Sequence, residues 1–188
     1  QQSNDVQVIA CRVEDNAALG LHPGSGSQRP VVRDCVARNN GTDGLYLCWR
    51  VRHGLFENNQ LIGNGRYGIS IGHKDSDNLL RKNVVRANAA HGIYFRNEPE
   101  GIAGHRNVLE ANQIEDNGRK PGMAGIMIDG ETHGTVIRGN TIRDTRQGEA
   151  RTQRTAIRIG SKAGSVIIQD NHADTEVEDL RVRQTSAR

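Results

Sequence analysis

The run Leu55-Phe56-Glu57-Asn58-Asn59-Gln60-Leu61-Ile62-Gly63-Asn64-Gly65-Arg66-Tyr67-Gly68-Ile69-Ser70-Ile71 returns 24 residues later as Leu79-Leu80-Arg81-Lys82-Asn83-Val84-Val85-Arg86-Ala87-Asn88-Ala89-Ala90-His91-Gly92-Ile93-Tyr94-Phe95. Each copy carries an asparagine after a short apolar run and a second asparagine five residues on. A glycine then opens a stretch in which apolar residues alternate with others. The unit extends in both directions. Cys11, Cys35, Asn59, Asn83, Asn112, Asn140 and Asn171 share the first landmark, at spacings of 24, 24, 24, 29, 28 and 31. Asn16, Asn40, Asn64, Asn88 and Asn117 share the second, with Thr145 expected in the next copy. A period in this range marks a solenoid, in which each repeat buries its apolar face only against its neighbours.

Each copy holds three short strands separated by turns, and no 3.6-residue pattern of useful length appears. Three parallel strands per coil, stacked ~4.8 Å apart, describe an all-β, right-handed parallel β-helix of about seven coils. An inward asparagine at each corner can bond the same asparagine one coil on, which accounts for an asparagine ladder. A leucine-rich repeat has an overlapping period, but its leucine positions hold residues such as Asn107 and Gly134 here, and its convex helix is missing. The composition agrees with a thin aliphatic core. Of 188 residues, 22 are glycine and 16 asparagine, while only 3% are aromatic.

The net charge of +3 combines 25 basic with 22 acidic residues; 21 of the bases are arginine. No groove-reading helix or basic stripe interleaved with aromatics is present, so nucleic acid is not expected as a partner. No apolar run approaches the roughly 20 residues of a membrane span, and none is expected. Cys11, Cys35 and Cys48 fit neither a disulfide framework nor a CxxC metal site; Cys11 and Cys35 are expected as buried free thiols. The chain opens inside a coil. Residues 1–188 therefore read as one domain of a longer protein, with further chain upstream, end-to-end contacts through uncapped coils, and an irregular tail over 172–188.

The repeats resemble those of the right-handed parallel β-helix, pectate-lyase-like superfamily, from about Val6 to Asn171. That resemblance implies an exported protein, extracellular or periplasmic, with no signal peptide in this sequence. It also implies engagement of an anionic polysaccharide along the outer face of the strand opened by glycine, as a lyase or uronate epimerase or as a non-catalytic binding or structural module.

Alternation writes that face as rows. Tyr46, Ser70, Tyr94, Met127 and Arg158 form one; His22, Cys48, Gly72, Arg96, Asp129 and Gly160 the next. Past the strand come Trp49, His73 and Asn97, then Arg50, Lys74, Glu98 and Glu131. The turns that lengthen, over 96–105, 117–124 and 144–155, flank this strand, and repeat proteins build binding sites where loops grow. Abstraction of a proton α to a carboxylate needs a base, a proton donor and positive charge. By similarity to alginate and chondroitin lyases of this fold, Lys74 would be the base and Arg96 the neutralising or acid group. His73 is the competing base, and Tyr94 a proton donor or sugar platform. Tyr46, Trp49, Arg50, His22 and Asn97 are the expected substrate contacts. Asp75, Glu98, Asp129 and Glu131 form a candidate calcium set, since calcium favours clustered oxygen ligands. The row Arg50, Lys74, Glu98, Glu131 reads equally well as an ordinary surface salt ladder.

Overall fold

The computed structural model describes residues 2–181. Three parallel sheets run its length, and successive strands of one coil fall in different sheets. The first sheet stacks Gln7–Ile9, Val31–Arg33, Leu55–Glu57, Leu79–Arg81, Val108–Glu110, Thr135–Arg138 and Val166–Gln169. The second runs from Arg12–Glu14 to His172–Ala173. The third stacks Leu45–Tyr46, Ile69–Ile71, Ile93–Phe95, Ala124–Ile128, Thr155–Ile159 and Glu176–Asp179. This is the right-handed parallel β-helix that the repeat implies. The segment expected as an irregular tail instead adds two strands, His172–Ala173 and Glu176–Asp179, so the coil continues past Asn171; residues 182–188 lie outside the described residues.

Pairing is in register, as a one-residue slip would turn every core side chain outward. Ile69, Ile93 and Ile126 stack on one another, as do Ile71, Phe95 and Ile128. All are essentially inaccessible, as are Leu61, Leu80, Leu109 and Phe56 from the other sheets. Coil corners are set by a residue in the left-handed backbone region just before each ladder position: Asp34 (φ 57°), Asn58 (55°), Lys82 (53°) and Ala111 (53°) precede Cys35, Asn59, Asn83 and Asn112.

The ladders form as the sequence indicates. Asn59 donates from both its backbone N–H and its Nδ2 to Asn83 Oδ1 at 3.0 Å, and Asn83 does the same to Asn112. The other Nδ2 hydrogen of Asn83 goes to the Phe56 carbonyl at 2.9 Å. These amides thus meet the corner groups that a buried turn would otherwise strand. The second ladder runs Asn16, Asn40, Asn64, Asn88, Asn117. Its next rung is Gln153, not Thr145: Gln153 Oε1 accepts from Asn117 N and Nδ2 at 3.0 Å, while Thr145 bonds Asp116. The 144–155 excursion displaces the regular position, and a side chain one methylene longer reaches back into the stack. A third, shorter ladder joins Gly54, Asn78 and Asn107.

The strand-opening glycines follow from the ladders. A Cβ on Gly44, Gly68 or Gly92 would lie 2.6, 2.8 or 2.9 Å from the amide nitrogen of Asn64, Asn88 or Asn117. At the first coil, Leu21 pairs with Leu45, which places His22 beside Tyr46 rather than beside Cys48. The cysteines are free; Cys35 is buried and takes a ladder rung through its N–H to Asn59, but Cys11, on the outermost coil, is exposed rather than buried.

Candidate functional site

The outer face of the third sheet carries three adjoining groups of side chains. Arg96 anchors the first. It leaves the sheet directly after Phe95 and lies over Gly72, where a Cβ would meet its Nε at 2.6 Å. Its Nη1 donates to Ser70 Oγ at 2.9 Å, Nη2 to the Leu47 carbonyl at 2.9 Å and to Asp75 Oδ2 at 3.2 Å, and Nε to Glu98 Oε1 at 3.3 Å. The Tyr46 ring sits 4.6 Å from the guanidinium carbon, in cation–π range. The Arg96 side chain is only 13% exposed and faces two carboxylates. Asp75 is fully buried and also accepts from the backbone N–H of Val51 and Gly72. Burial pushes its carboxyl up to about 7, although those N–H groups and Arg96 pull the other way.

His73 joins this network to a pocket. Nδ1 faces Arg96 Nη2 at 3.2 Å, Nε2 faces Glu98 Oε1 at 3.3 Å, and the His73 backbone N–H donates to Glu98 Oε2. With an arginine donating to one ring nitrogen and a carboxylate beside the other, neither nitrogen is free to take a proton from a substrate. The ring face is used instead: Trp49 stacks on it at 5.4 Å and 10°. Trp49, Arg50, His73, Lys74 and Ile102 enclose an open pocket of about 290 Å³. Trp49-Arg50 and His73-Lys74 each place two consecutive side-chain-bearing residues at positive φ (66°, 66°; 47°, 64°), one turn above the other. Such conformations persist only when the surroundings impose them. Here the Arg50 N–H donates to the His73 carbonyl and the Lys74 N–H to the Ile102 carbonyl, within the lengthened loop.

The third group is aromatic. Tyr67 and Tyr94 stack at 4.5 Å, with His91 5.7 Å from Tyr94. Tyr94 donates its hydroxyl to Asp129 Oδ2 at 3.1 Å; burial, then the Asp129 charge, holds that proton well above the usual tyrosine range. His91 is half-buried and accepts from the Ala124 N–H, and burial drops its pKa to about 4.

The expected residues are therefore divided. Arg96, His73, Asp75, Glu98 and Tyr46 meet in one network; Trp49, Arg50 and Lys74 join His73 in the pocket; Tyr94 and Asp129 stand with Tyr67 and His91. Asn97 is exposed, with its backbone N–H facing the Tyr94 hydroxyl. The salt ladder does not form, since no ion pair links Arg50, Lys74, Glu98 and Glu131 among the described residues. Nor does the calcium set. Asp75 and Glu98 are held by Arg96, Asp129 by Tyr94, and Glu131 accepts from the Glu100 N–H, so the four carboxylates have separate partners. Among the described residues no group of three or more His, Cys, Asp or Glu gathers as ligands for an ion. Ser70, Tyr67 and Ile102 were not singled out by the sequence pattern, although Ser70 shares the row of Tyr46 and Tyr94.

A profile of the family described as "Periplasmic copper-binding protein (NosD)" matches residues 1–157. The chain belongs to the NosD family. Among curated proteins this NosD-family chain is similar to mannuronan C5-epimerases of Azotobacter vinelandii. It is 28% identical to AlgE2 over 115 residues, 61% of this chain and 11% of the relative, and 32% identical to AlgE3 over 122 residues, 59% of this chain and 7% of the relative. It thus spans about a tenth of the length of these relatives. The fold matches that of a double mutant of the periplasmic alginate epimerase AlgG, with TM-score 0.60 at 14% identity, covering 94% of this chain and 46% of that one. The donor set does not fit the copper in the family description. Copper sites draw on imidazole and sulfur ligands, whereas His73 has both nitrogens engaged and no three His, Cys, Asp or Glu side chains gather as ligands among the described residues. No helix among the described residues is long and apolar enough to cross a membrane.

Proposed function

We propose that this chain binds an acidic uronate glycan outside the cytoplasm and acts on it as a lyase or C5-epimerase. The supporting observation is the Trp49 pocket. Trp49 is 56% exposed and offers a flat face for a sugar ring. Beside it, Arg50 and Lys74 carry charges that no carboxylate within 4.0 Å offsets among the described residues, although most arginines of the chain are paired. A uronate carboxylate supplies the missing charge, and the similarity to mannuronan epimerases points to the same substrate class.

In this reading Arg50 offsets the carboxylate while Lys74 removes the α-proton, as the geometry has closed off His73. Proton return from water to the opposite face completes an epimerisation; departure of the 4-linked oxygen, which takes up the proton Lys74 has removed, completes a lyase reaction. Arg96 acts through others, fixing His73 and through it the Trp49 platform. Tyr94 stands outside the pocket and supports sugars further along the face. The network around Arg96, which ties its guanidinium to Ser70, the Leu47 carbonyl, Asp75 and Glu98, also favours a second reading: a binding module without turnover.

Mannuronan incubated with the protein in deuterated water separates these. Deuterium at C5 with guluronate signals identifies an epimerase, and absorbance from unsaturated ends a lyase; Lys74→Ala then abolishes either. Retention on an alginate gel with no product identifies the binding module. Neither product nor retention overturns the proposal.

A further inference from the structure

Arg50 lines two pockets. The second, of about 610 Å³, is polar and is completed by Gln2, Gly26, Gln28 and Arg52. Nothing in the sequence pattern pointed to it. Its distinction is electrostatic. Fourteen arginines of the described residues form ion pairs, from Arg12–Glu14 to Arg181–Asp179; Arg50, Arg52, Arg86, Arg119 and Arg154 do not. Of those five, Arg50 and Arg52 line this one pocket. Arg52 also carries a buried Nε with no hydrogen-bond partner, an arrangement that native proteins avoid unless something else accepts the proton. Asp77, which feels the Arg52 charge, gives both its oxygens to Arg106 at 2.6 and 2.8 Å. Gln28 donates from Nε2 to the Gly26 and Arg50 carbonyls at 3.1 and 3.2 Å, and so ties the pocket to the turn that bears Arg50.

We infer that this pocket is a second oxyanion subsite, in which Arg52 and Arg50 hold the carboxylate of a uronate unit next to the one on Trp49. The inference rests on the glycan reading above and extends it. The glycan then crosses the coil corner from one pocket to the other, with Arg50 as the shared wall. Paired guanidinium donors suit a planar carboxylate, which accepts two parallel hydrogen bonds.

Calorimetric titration of the full chain with mannuronate oligomers of two to six units tests this. Affinity is expected to rise once an oligomer spans both pockets. Arg52→Gln removes that rise, a loss of about tenfold for the longest oligomer, and leaves the shortest unchanged. Arg52→Lys, which keeps the charge but not the fork, loses part of it, and Trp49→Ala weakens every length. Equal affinity of Arg52→Gln and the parent at all lengths overturns the subsite, as does an equal loss at all lengths. Failure of every oligomer to bind the parent chain counts against the glycan reading itself. Inorganic sulfate then judges the pocket alone: a shift of the Arg52 Nε–H resonance that Arg50→Gln abolishes supports an oxyanion site, and no shift overturns it.

Discussion

The corner that carries the asparagine ladder and the corner that follows the third-sheet strand solve the same problem in opposite ways. Both turn the chain through left-handed residues. At the first, Asn59, Asn83, Asn112 and Asn140 answer one another's polar groups in successive coils, after two coils that hold Cys11 and Cys35 at the same position. At the second, the turns at Ser25-Gly26, Trp49-Arg50 and His73-Lys74 stack on one another before the chain departs into a loop, and the charges of Arg50 and Lys74 are left over. A fully satisfied corner has nothing to offer a ligand, while one with unmet charge has an affinity still to be used.

The largest expected effect lies at the satisfied corner. Asn83→Leu removes two donors and an acceptor in a dry stack and leaves the Asn59 and Phe56 groups unmet. A loss of about 4 kcal/mol is expected in denaturant titration; a loss below about 1 kcal/mol would break the contrast. Arg96→Leu strands the carboxylates of Asp75 and Glu98 and is expected to cost about 3 kcal/mol. It also weakens glycan binding by releasing His73 from under Trp49.

Two titrations then oppose each other. Asp75, raised to about 7, keeps its proton in the folded chain where the unfolded chain has lost it, so its contribution is present at pH 4 and is lost as pH rises toward 7. His91, lowered to about 4, gives the reverse: its contribution is present above about 6.5 and is lost as pH falls toward 4. Between these limits Asp75→Asn should make stability rise with pH, and His91→Phe should make it fall, as read from melting temperatures in a pH series. The same slope in both variants would remove both assignments. Trp49→Ala should raise the glycan Kd about tenfold, because one exposed ring platform is lost, while the melting temperature stays unchanged. Smallest of all, a chelator such as EDTA should leave the melting temperature unmoved, since the carboxylates of Asp75, Glu98, Asp129 and Glu131 have protein partners already.

The fold was legible because its cause is periodic. Asparagines at 24-residue spacing, glycines opposite their amides and aliphatics at alternate positions leave one arrangement that buries them all. The row Tyr46, Ser70, Tyr94, Met127, Arg158 follows from the same alternation and is found in register. Legibility failed where the period failed. Gln153 escapes the pattern because an excursion separates it from its rung, whereas His22, 24 residues before Tyr46, belongs beside that tyrosine by the period itself and not in the row of Cys48. Within the site, Lys74 and Arg96 fall on adjacent coils of one face, but the alternation does not say which way a long side chain folds. Arg96 turned toward Asp75 and Glu98, and Lys74 stayed with Trp49. The third ladder, Asn78 to Asn107, was within reach, since both precede a first-landmark asparagine by five residues.

The ladders also give the solenoid a direction. From Asn16 to Asn40, from Asn59 to Asn83, from Asn78 to Asn107 and onward to Asn171, the amide of the earlier coil is the donor and the oxygen of the later coil the acceptor. Small dipoles therefore align head to tail along the axis, as they do along a helix. The two ends of the stack are chemically unlike. A further rung continues the ladder only with its own amide pointing the same way, so the rod has a chemical polarity that its repeats share.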